Sequence, residues 1–213
     1  MIAGRLRAAT LAALWRYPVK GMRPEPLARV RVGERGLEGD RGSALFVASD
    51  GHARTTKTYR GKEDNLLHTF AGEGAARAAA AAAGIALELR AGGPHFDAEP
   101  VSVLFDAWLR ELEALVDIAL EPLRFRPNLY VESAGSVSAE AAFVGRALEI
   151  GGVRLRVVSP ILRCVTTTYD VVTGEPEPAV LRALAQQRAN VMGVYCRVER
   201  PGEIAVGDAV VEA

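Results

Sequence analysis

Residues 147–158 read ALEIGGVRLRVV, in which two short apolar runs flank a pair of glycines. A two-glycine connection between such runs is a strong signal for a tight β-hairpin. Apolar and arginine side chains alternate after the glycines, at Val153, Arg154, Leu155, Arg156 and Val157. A period of two places these side chains on opposite faces of a strand, with one face buried. The segment therefore predicts antiparallel β-structure.

Similar short apolar segments, bounded by glycine or proline, occur along much of the chain. They predict strands at residues 11–17, 27–32, 44–48, 85–90, 123–132, 191–199 and 203–211. The first 60 residues are expected to form a small antiparallel sheet, with Asp50-Gly51 as a hairpin turn. The last two strands are expected to pair around Pro201-Gly202.

Three segments predict helices. Residues 72–83 are alanine-rich and are followed by Gly84, residues 102–116 have apolar side chains at helical spacing, and residues 178–189 begin with a proline. The fold class is therefore mainly β with a few helices (α+β), as a β-barrel whose sides the helices close.

The composition narrows the classes of function. The 26 basic and 26 acidic side chains balance, so a general electrostatic attraction to nucleic acid or to an anionic membrane is not indicated. No apolar run has the length of a membrane span, and the N-terminal residues do not read as a signal peptide. The expected location is cytoplasmic, where both cysteines would be reduced thiols.

Cys164 is the strongest candidate for a functional side chain. It follows Arg163, and a neighbouring guanidinium favours the thiolate form of a cysteine. Three threonines, a tyrosine and an aspartate follow it, so the thiol is expected in a polar loop after a strand. The alternative is a buried structural cysteine. Cys196 lies in an alternating strand segment, where packing in the core is the favoured interpretation.

Polar side chains beside glycine or proline predict an anion-binding or heterocycle-binding role. They are Lys20, Arg41, Arg126 and Asn128. Arginine binds phosphate through paired hydrogen bonds, and the asparagine amide offers a donor and an acceptor to a ring edge. Taken singly, each of them also fits a solvated surface position.

Five segments together resemble the MOSC family, which is named for the C-terminal domain of molybdenum cofactor sulfurase. They are 15–20 (WRYPVK), 36–41 (GLEGDR), 124–128 (RFRPN), 163–174 (RCVTTTYDVVTG) and 202–208 (GEIAVGD). Their order along the chain is that of the family. The resemblance implies a MOSC N-terminal-like β-domain at residues 1–95, which includes the alanine-rich helix, packed against a MOSC-type β-barrel at residues 96–213.

The chain is also similar to the best-understood branch of the family, the mitochondrial amidoxime-reducing component and its bacterial relatives. That resemblance implies a molybdenum cofactor, with molybdopterin in a cleft between the two parts, and reduction of N-hydroxylated small molecules. It assigns Cys164 as the molybdenum ligand and catalytic residue. It assigns the cofactor contacts to Lys20, Arg41, Arg126, Asn128, Arg163, Thr166 and Tyr195. At the family level, pyridoxal phosphate binding is also implied.

The chain departs from the family pattern directly beside two of these segments. Gly21 stands where the family often has serine, and Leu162 stands where the reductases have a small polar residue. The chain has no ferredoxin-like segment, so the resemblance implies a separate redox protein as electron donor. The alternative is a non-catalytic carrier that holds the cofactor, or sulfur as a Cys164 persulfide.

Overall fold

The computed structural model of the chain describes residues 6, 8–48, 72–82, 84 and 86–213. The described chain divides into two compact units. The first contains Met1–Trp15, Pro26–Glu38 and Ala98–Ala213, and the second contains Arg16–Glu25 and Gly39–Asp97. The predicted Asp50-Gly51 turn lies outside the described residues. No helix in the described part of the chain has the length and apolar character needed to cross a membrane.

The strands are β1 (Ala9–Arg16), β2 (Glu25–Pro26), β3 (Arg29–Gly33), β4 (Gly36–Leu37), β5 (Ser43–Val47), β6 (Leu87–Ala91), β7 (Val101–Phe105), β8 (Leu129–Ser133), β9 (Ala147–Ile150), β10 (Val153–Leu162), β11 (Val191–Arg200), β12 (Gly202–Ala205) and β13 (Ala209–Glu212). The described α-helices are α1 (Glu73–Ala82), α2 (Asp106–Val116) and α3 (Pro178–Gln187). Short 3-10 helices occur at Pro122–Phe125, Glu140–Phe143 and Val165–Thr168.

A closed β-barrel forms the first unit. Among the described residues its seven strands follow the order β13, β9, β10, β11, β7, β8 and β1, and β13 also pairs with β1. The closing register places Ala9 opposite Val210 and Thr10 opposite Ala209. Closure removes the exposed strand edges that an open sheet would leave. The predicted β-rich barrel is therefore confirmed.

The barrel's apolar side chains form one continuous core with α2 and α3. Phe105, Trp108 and Phe143 make an aromatic cluster in it, with ring centroids 4.9 to 5.8 Å apart. The Trp108 indole is buried and donates a 2.9 Å hydrogen bond to the Ser138 carbonyl. That bond satisfies the one polar atom of a large apolar side chain.

The second unit has a smaller core beside the antiparallel strand pair β5–β6. Met22, Leu45, Ala76 and Ala80 are buried together, so the alanine-rich helix α1 packs against this strand pair through its small side chains. The predicted helix at residues 72–83 is confirmed as Glu73–Ala82.

The hairpin at residues 147–158 forms as predicted. Val153 pairs with Ile150, the two glycines make the turn, and Val153, Leu155 and Val157 are buried. The predicted helix at residues 178–189 also forms, as α3. In both segments the spacing of the apolar residues matches the face that is buried in the structure.

The predicted helix at residues 102–116 is wrong in its first four residues. Residues Val101–Phe105 form β7, which is buried along its whole length and pairs with β11 on one side and β8 on the other. A strand that is buried on both faces shows no alternation. Its sequence pattern cannot be distinguished from that of a buried helix segment.

The predicted strand at residues 123–132 begins only at Leu129. Pro122 starts a 3-10 helix, and Arg126 then adopts a left-handed backbone conformation with φ 49°. Pro127 follows and has no N–H to donate to a strand ladder. The segment 124–128 is therefore a turn that leads into β8.

Two predicted strand pairings are also wrong. The described strands of the first 60 residues lie in three sheets, because β1 joins the barrel, β3 pairs with β4 and β12, and β5 pairs with β6. The last strands make no hairpin, since β12 pairs with β3 while β13 pairs with β9 and β1. In both regions a strand pairs with a distant one, β1 with β8 and β13, and β12 with β3.

Candidate functional site

Cys164 lies where β10 has ended and the 3-10 helix Val165–Thr168 begins. Its thiol is exposed and contacts the Thr166 hydroxyl, with 3.3 Å between Sγ and Oγ1. Its carbonyl oxygen accepts hydrogen bonds from the backbone N–H and the hydroxyl of Thr167, at 3.1 and 3.0 Å. The backbone is thus fixed at this residue while the sulfur remains accessible.

Exposed apolar side chains flank the thiol along the sequence. Leu162 is 72% exposed and Val165 is 57% exposed. A small molecule that reaches the thiol from solvent can therefore meet apolar surface as well as polar groups.

Cys196 has the opposite environment. It is fully buried on β11, in register with Val101 and Val157, and belongs to the barrel core. Burial, aided by the nearby charge of Glu99, raises the pKa of its thiol. A buried, protonated thiol is a poor ligand and a poor nucleophile, which confirms the prediction that Cys196 packs in the core.

The guanidinium of Arg163 is directed at backbone carbonyl groups. It donates a 2.9 Å hydrogen bond to the Phe125 oxygen and two bonds, one of them 2.8 Å long, to the Met192 oxygen. The backbone of Arg163 is paired with Asn190 in both directions, at 2.9 and 2.7 Å. The residue next to Cys164 is thereby tied to the start of β11 and to the turn before Arg126.

Arg124 is a functional candidate that sequence reasoning missed. Only 4% of its side chain is exposed. Its guanidinium donates to the Thr168 carbonyl at 3.0 Å, to the Thr167 carbonyl at 3.3 Å, and to the Asp170 carboxylate at 3.3 Å. Burial lowers the pKa of this guanidinium, and three nearby carboxylates oppose the shift. In the sequence, the available sign of its burial was its position next to Phe125, an aromatic residue of the core.

Asp170 organises the end of the Cys164 loop. Its Oδ1 accepts hydrogen bonds from the backbone N–H groups of Thr173 and Val172, at 2.8 and 2.9 Å. These two bonds are the main reason that the pKa of the carboxyl lies below its ordinary value, and the Arg124 charge adds to the shift. The carboxylate therefore stays ionised and keeps its bond to Arg124.

Asn128 and Arg126 differ in accessibility. Asn128 has no exposed surface, and its amide oxygen accepts from the Ser102 N–H and hydroxyl while its amide nitrogen donates to the Trp15 carbonyl. A ligand cannot reach this amide unless the side chain moves. Arg126 is partly exposed, and its own backbone is left-handed, directly after the 3-10 helix Pro122–Phe125. Such a conformation in a non-glycine residue often occurs at functional sites.

Thr166 and Tyr195 were also predicted to contact a cofactor. Thr166 lies beside the thiol, as described above. Tyr195 is partly buried on β11 in register with Ser102, the residue that binds Asn128. The first unit therefore links Cys164 and Thr166 to the turn of Arg126 through hydrogen bonds.

Lys20 and Arg41 belong to the second unit. The ammonium of Lys20 pairs with Asp97 at 2.7 Å. Arg41 pairs with the buried carboxylate of Asp40, and its guanidinium lies 4.8 Å from the centroid of the Tyr17 ring. Both cations are mostly buried, and each is paired with a carboxylate. An anionic ligand would therefore have to share the cation with that carboxylate or displace the carboxylate.

The donor set around Cys164 determines which kind of metal group fits. No cluster of three or more His, Cys, Asp or Glu side chains suited to a metal ion occurs among the described residues. Among these residues Cys164 is therefore not part of such a cluster. One accessible soft thiol fits a metal group that carries its remaining ligands with it, as the dithiolene sulfurs of the molybdenum cofactor do.

Models of two protein families match the chain. The MOSC domain matches residues 91–211, and the MOSC N-terminal beta barrel domain matches residues 8–60. Among solved structures, the YUAD protein from Bacillus subtilis is similar over 98% of both chains, with a TM-score of 0.61 and 16% sequence identity. At this identity the likeness shows the fold alone.

Curated relatives share a higher identity over a shorter segment. Mitochondrial amidoxime-reducing component 1 of Mus musculus is 33% identical over 131 residues, covering 54% of this chain and 37% of that protein. The Homo sapiens protein of the same name is 32% identical over 129 residues with the same coverage. The chain thus spans little more than a third of these relatives. Because the MOSC domain matches residues 91–211, more than half of the 213 residues, the chain belongs to the MOSC domain family.

Proposed function

We propose that the chain binds the molybdenum cofactor through Cys164 and acts as an oxidoreductase that reduces N-hydroxylated small molecules. The observation that carries the proposal is the exposed Cys164 thiol beside Thr166, on a loop bonded to the turn before Arg126. Family membership supports it, since MOSC domains are associated with this cofactor and the curated relatives are named as amidoxime-reducing components.

When bound, the cofactor would supply the two-electron chemistry that removes oxygen from an N-hydroxyl group. The net reaction consumes two electrons and two protons and yields the reduced nitrogen compound and water. Cys164 would provide the soft, strongly donating protein ligand. Thr166 would contact the sulfur and limit its rotation. A separate redox protein would deliver the electrons, as the resemblance implies.

The cofactor's phosphate needs cationic partners. Arg126 is the candidate in the first unit, because it is partly exposed and its planar guanidinium can make paired hydrogen bonds. Tyr195 is proposed as a residue that lines the site. Lys20 and Arg41 are proposed as further phosphate-binding cations on the resemblance alone. Asn128 is left out, since its buried amide is already bonded to Ser102 of β7 and Trp15 of β1.

A second candidate function follows from the exposure of the thiol. An accessible Cys164 also suits a non-catalytic carrier of the cofactor, or a persulfide carrier of sulfur. The two functions differ in turnover, because a carrier would bind without reducing a substrate.

The test compares the two cysteines as matched variants. Protein from a molybdenum-replete host is expected to contain about one molybdenum per chain. Cys164→Ala is expected to lose most of it, whereas Cys196→Ala should retain it because that thiol is buried in the core. Metal analysis and the absorption spectrum report the result, and pyridoxal phosphate is measured in parallel as an unrelated phosphate-bearing cofactor. Equal loss in both variants would contradict the assignment of Cys164.

Turnover then separates the reductase from the carrier. With a competent electron donor, the wild-type protein should reduce benzamidoxime or hydroxylamine, and Cys164→Ala should not. Bound molybdenum without reduction of either compound would favour the carrier. Protein that takes up neither molybdenum nor added cofactor would refute the proposal, and a persulfide on Cys164 by mass spectrometry would favour the sulfur carrier.

A further inference from the structure

Two arginines make reciprocal contacts between the Cys164 loop and the turn at residues 122–126. Arg163, beside Cys164, donates to the Phe125 carbonyl in the turn. Arg124, in the turn, donates to the Thr167 and Thr168 carbonyls in the loop. Each segment therefore supplies a guanidinium that binds the other segment's backbone. We call this set of bonds the arginine clasp.

The clasp holds the loop on both sides of the thiol. On the N-terminal side, Arg163 is tied to Phe125 and Met192. On the C-terminal side, Arg124 binds the carbonyl oxygens at the end of the 3-10 helix and the Asp170 carboxylate. Cys164 lies between these two anchors, and its sulfur contacts the Thr166 hydroxyl.

The guanidinium of Arg163 is closely packed between Gly193 of β11 and the ring of Phe125. Gly193 has φ 86°, and a Cβ on it would lie 3.2 Å from Nη2 of Arg163 and 2.9 Å from the Val103 carbonyl oxygen. The β11 backbone therefore approaches Arg163 closely because this position has no side chain. The ring of Phe125 lies 5.6 Å from the Arg163 guanidinium and bounds it further.

We infer that Arg124 and Arg163 are positioning residues that hold the Cys164 thiol in a fixed place relative to Arg126. Arg163 was expected to contact a cofactor, but its guanidinium binds carbonyl groups of its own chain. The effect of the two arginines on cofactor binding rests on the proposed function. A metal-binding thiol and a phosphate-binding cation must stay at a constant distance from each other to bind the same cofactor. The bonds of the clasp themselves do not depend on a cofactor.

Lysine variants separate geometry from charge. Arg163→Lys and Arg124→Lys keep the positive charge, but an ammonium cannot reproduce a planar fork that reaches two or three oxygens in fixed directions. Arg146→Lys is the matched control. Arg146 also pairs with a carboxylate, that of Glu212, and lies 6.0 Å from the Phe143 ring, but it belongs to neither segment of the clasp.

The first measurement uses the cofactor-free protein. Amide hydrogen exchange at residues 164–170 should become about tenfold faster in both clasp variants, because charged hydrogen bonds to this backbone are lost. Exchange in the 147–158 hairpin should not change, and Arg146→Lys should leave residues 164–170 unaffected. Unchanged exchange at 164–170 in a folded clasp variant would overturn the inference. If Arg124→Lys does not fold, the less buried Arg163→Lys decides.

The second measurement uses the protein loaded with molybdenum. The clasp variants should bind about tenfold less metal, since residues that orient a metal ligand contribute to metal affinity. The EPR signal of the bound molybdenum should broaden or shift because the sulfur takes several positions. A merely structural role would lower the melting temperature and leave that signal unchanged, which would overturn the positioning role. A wild-type protein without molybdenum would refute the proposed function instead, and the exchange data would then decide the clasp.

Discussion

Asn128 shows how burial decides the role of a single residue. Its amide was expected to bind a heterocycle, but the side chain has no exposed surface and, from its place just before β8, binds Ser102 of β7 and Trp15 of β1. The bonds from Ser102 satisfy two buried donors of that residue. The residue therefore fixes where the turn of Arg126 meets the barrel.

Asn128→Ala is expected to lower the free energy of unfolding by about 2 to 3 kcal/mol, because it leaves buried donors of Ser102 unpaired. Urea unfolding followed by circular dichroism measures the change. Ser102→Ala should cost less, and the double variant should cost less than the sum of the two. A stability of Asn128→Ala equal to that of the wild type would show that the amide contributes nothing to the barrel.

The turn of the 147–158 hairpin packs closely against residues near the end of the chain. Gly151 has φ 52°, and a Cβ on it would lie 2.5 Å from Oδ2 of Asp208 and 2.9 Å from the Glu203 carbonyl oxygen. Asp208 also accepts a 2.8 Å hydrogen bond from the Ala205 N–H. The turn is therefore packed against the segment between β12 and β13, and its glycine is needed for space as well as for backbone angle.

Gly151→Ala is expected to destabilise the protein by about 1 to 3 kcal/mol, from the positive φ and the displacement of Glu203. Gly152→Ala is the control on the adjacent residue. Its nearest neighbour would be an ordinary 3.8 Å contact, so it should change stability little. Thermal unfolding of the two variants gives the comparison, and equal melting temperatures would contradict the packing argument.

The whole barrel depends on the pairing of its first and last strands. Val210 of β13 pairs with Ala9 on one side and with Ile150 on the other, and only 2% of it is exposed. The neighbouring Val211 faces the other way and is 56% exposed. The closure also includes hydrogen bonds between Leu11 and the segment of Gly207 and Asp208, at 2.8 and 2.9 Å.

Val210→Asp is expected to abolish cooperative unfolding, because a charge would enter the core at the closing strand. Val211→Asp places the same side chain on the outer face of the same strand and should leave stability within about 0.5 kcal/mol of the wild type. Calorimetry and binding of a hydrophobic dye report the difference. A cooperative transition in Val210→Asp would mean that β13 is not needed to close the barrel.

The sequence by itself determined the parts whose signals are local. The 147–158 hairpin, α1 and α3 each have a periodicity and a turn or terminal residue that agree with the final structure, and the order of five motifs indicated the family. The polar loop after β10 was also visible, as was the contrast between Cys164 and Cys196. These features depend on residues that are neighbours in the chain, where spacing and side-chain type carry the information.

Only the tertiary structure decided the features that depend on distant partners. The strand β1 pairs with β13, about 200 residues away, and β7 pairs with β11, about 90 residues away. The Asn128 amide binds Trp15, 113 residues away. The clasp of Arg124 and Arg163 joins turns some 40 residues apart. A sequence window does not show which carbonyl a guanidinium will reach, because closing such a loop is decided by the burial and hydrogen bonds of the whole barrel.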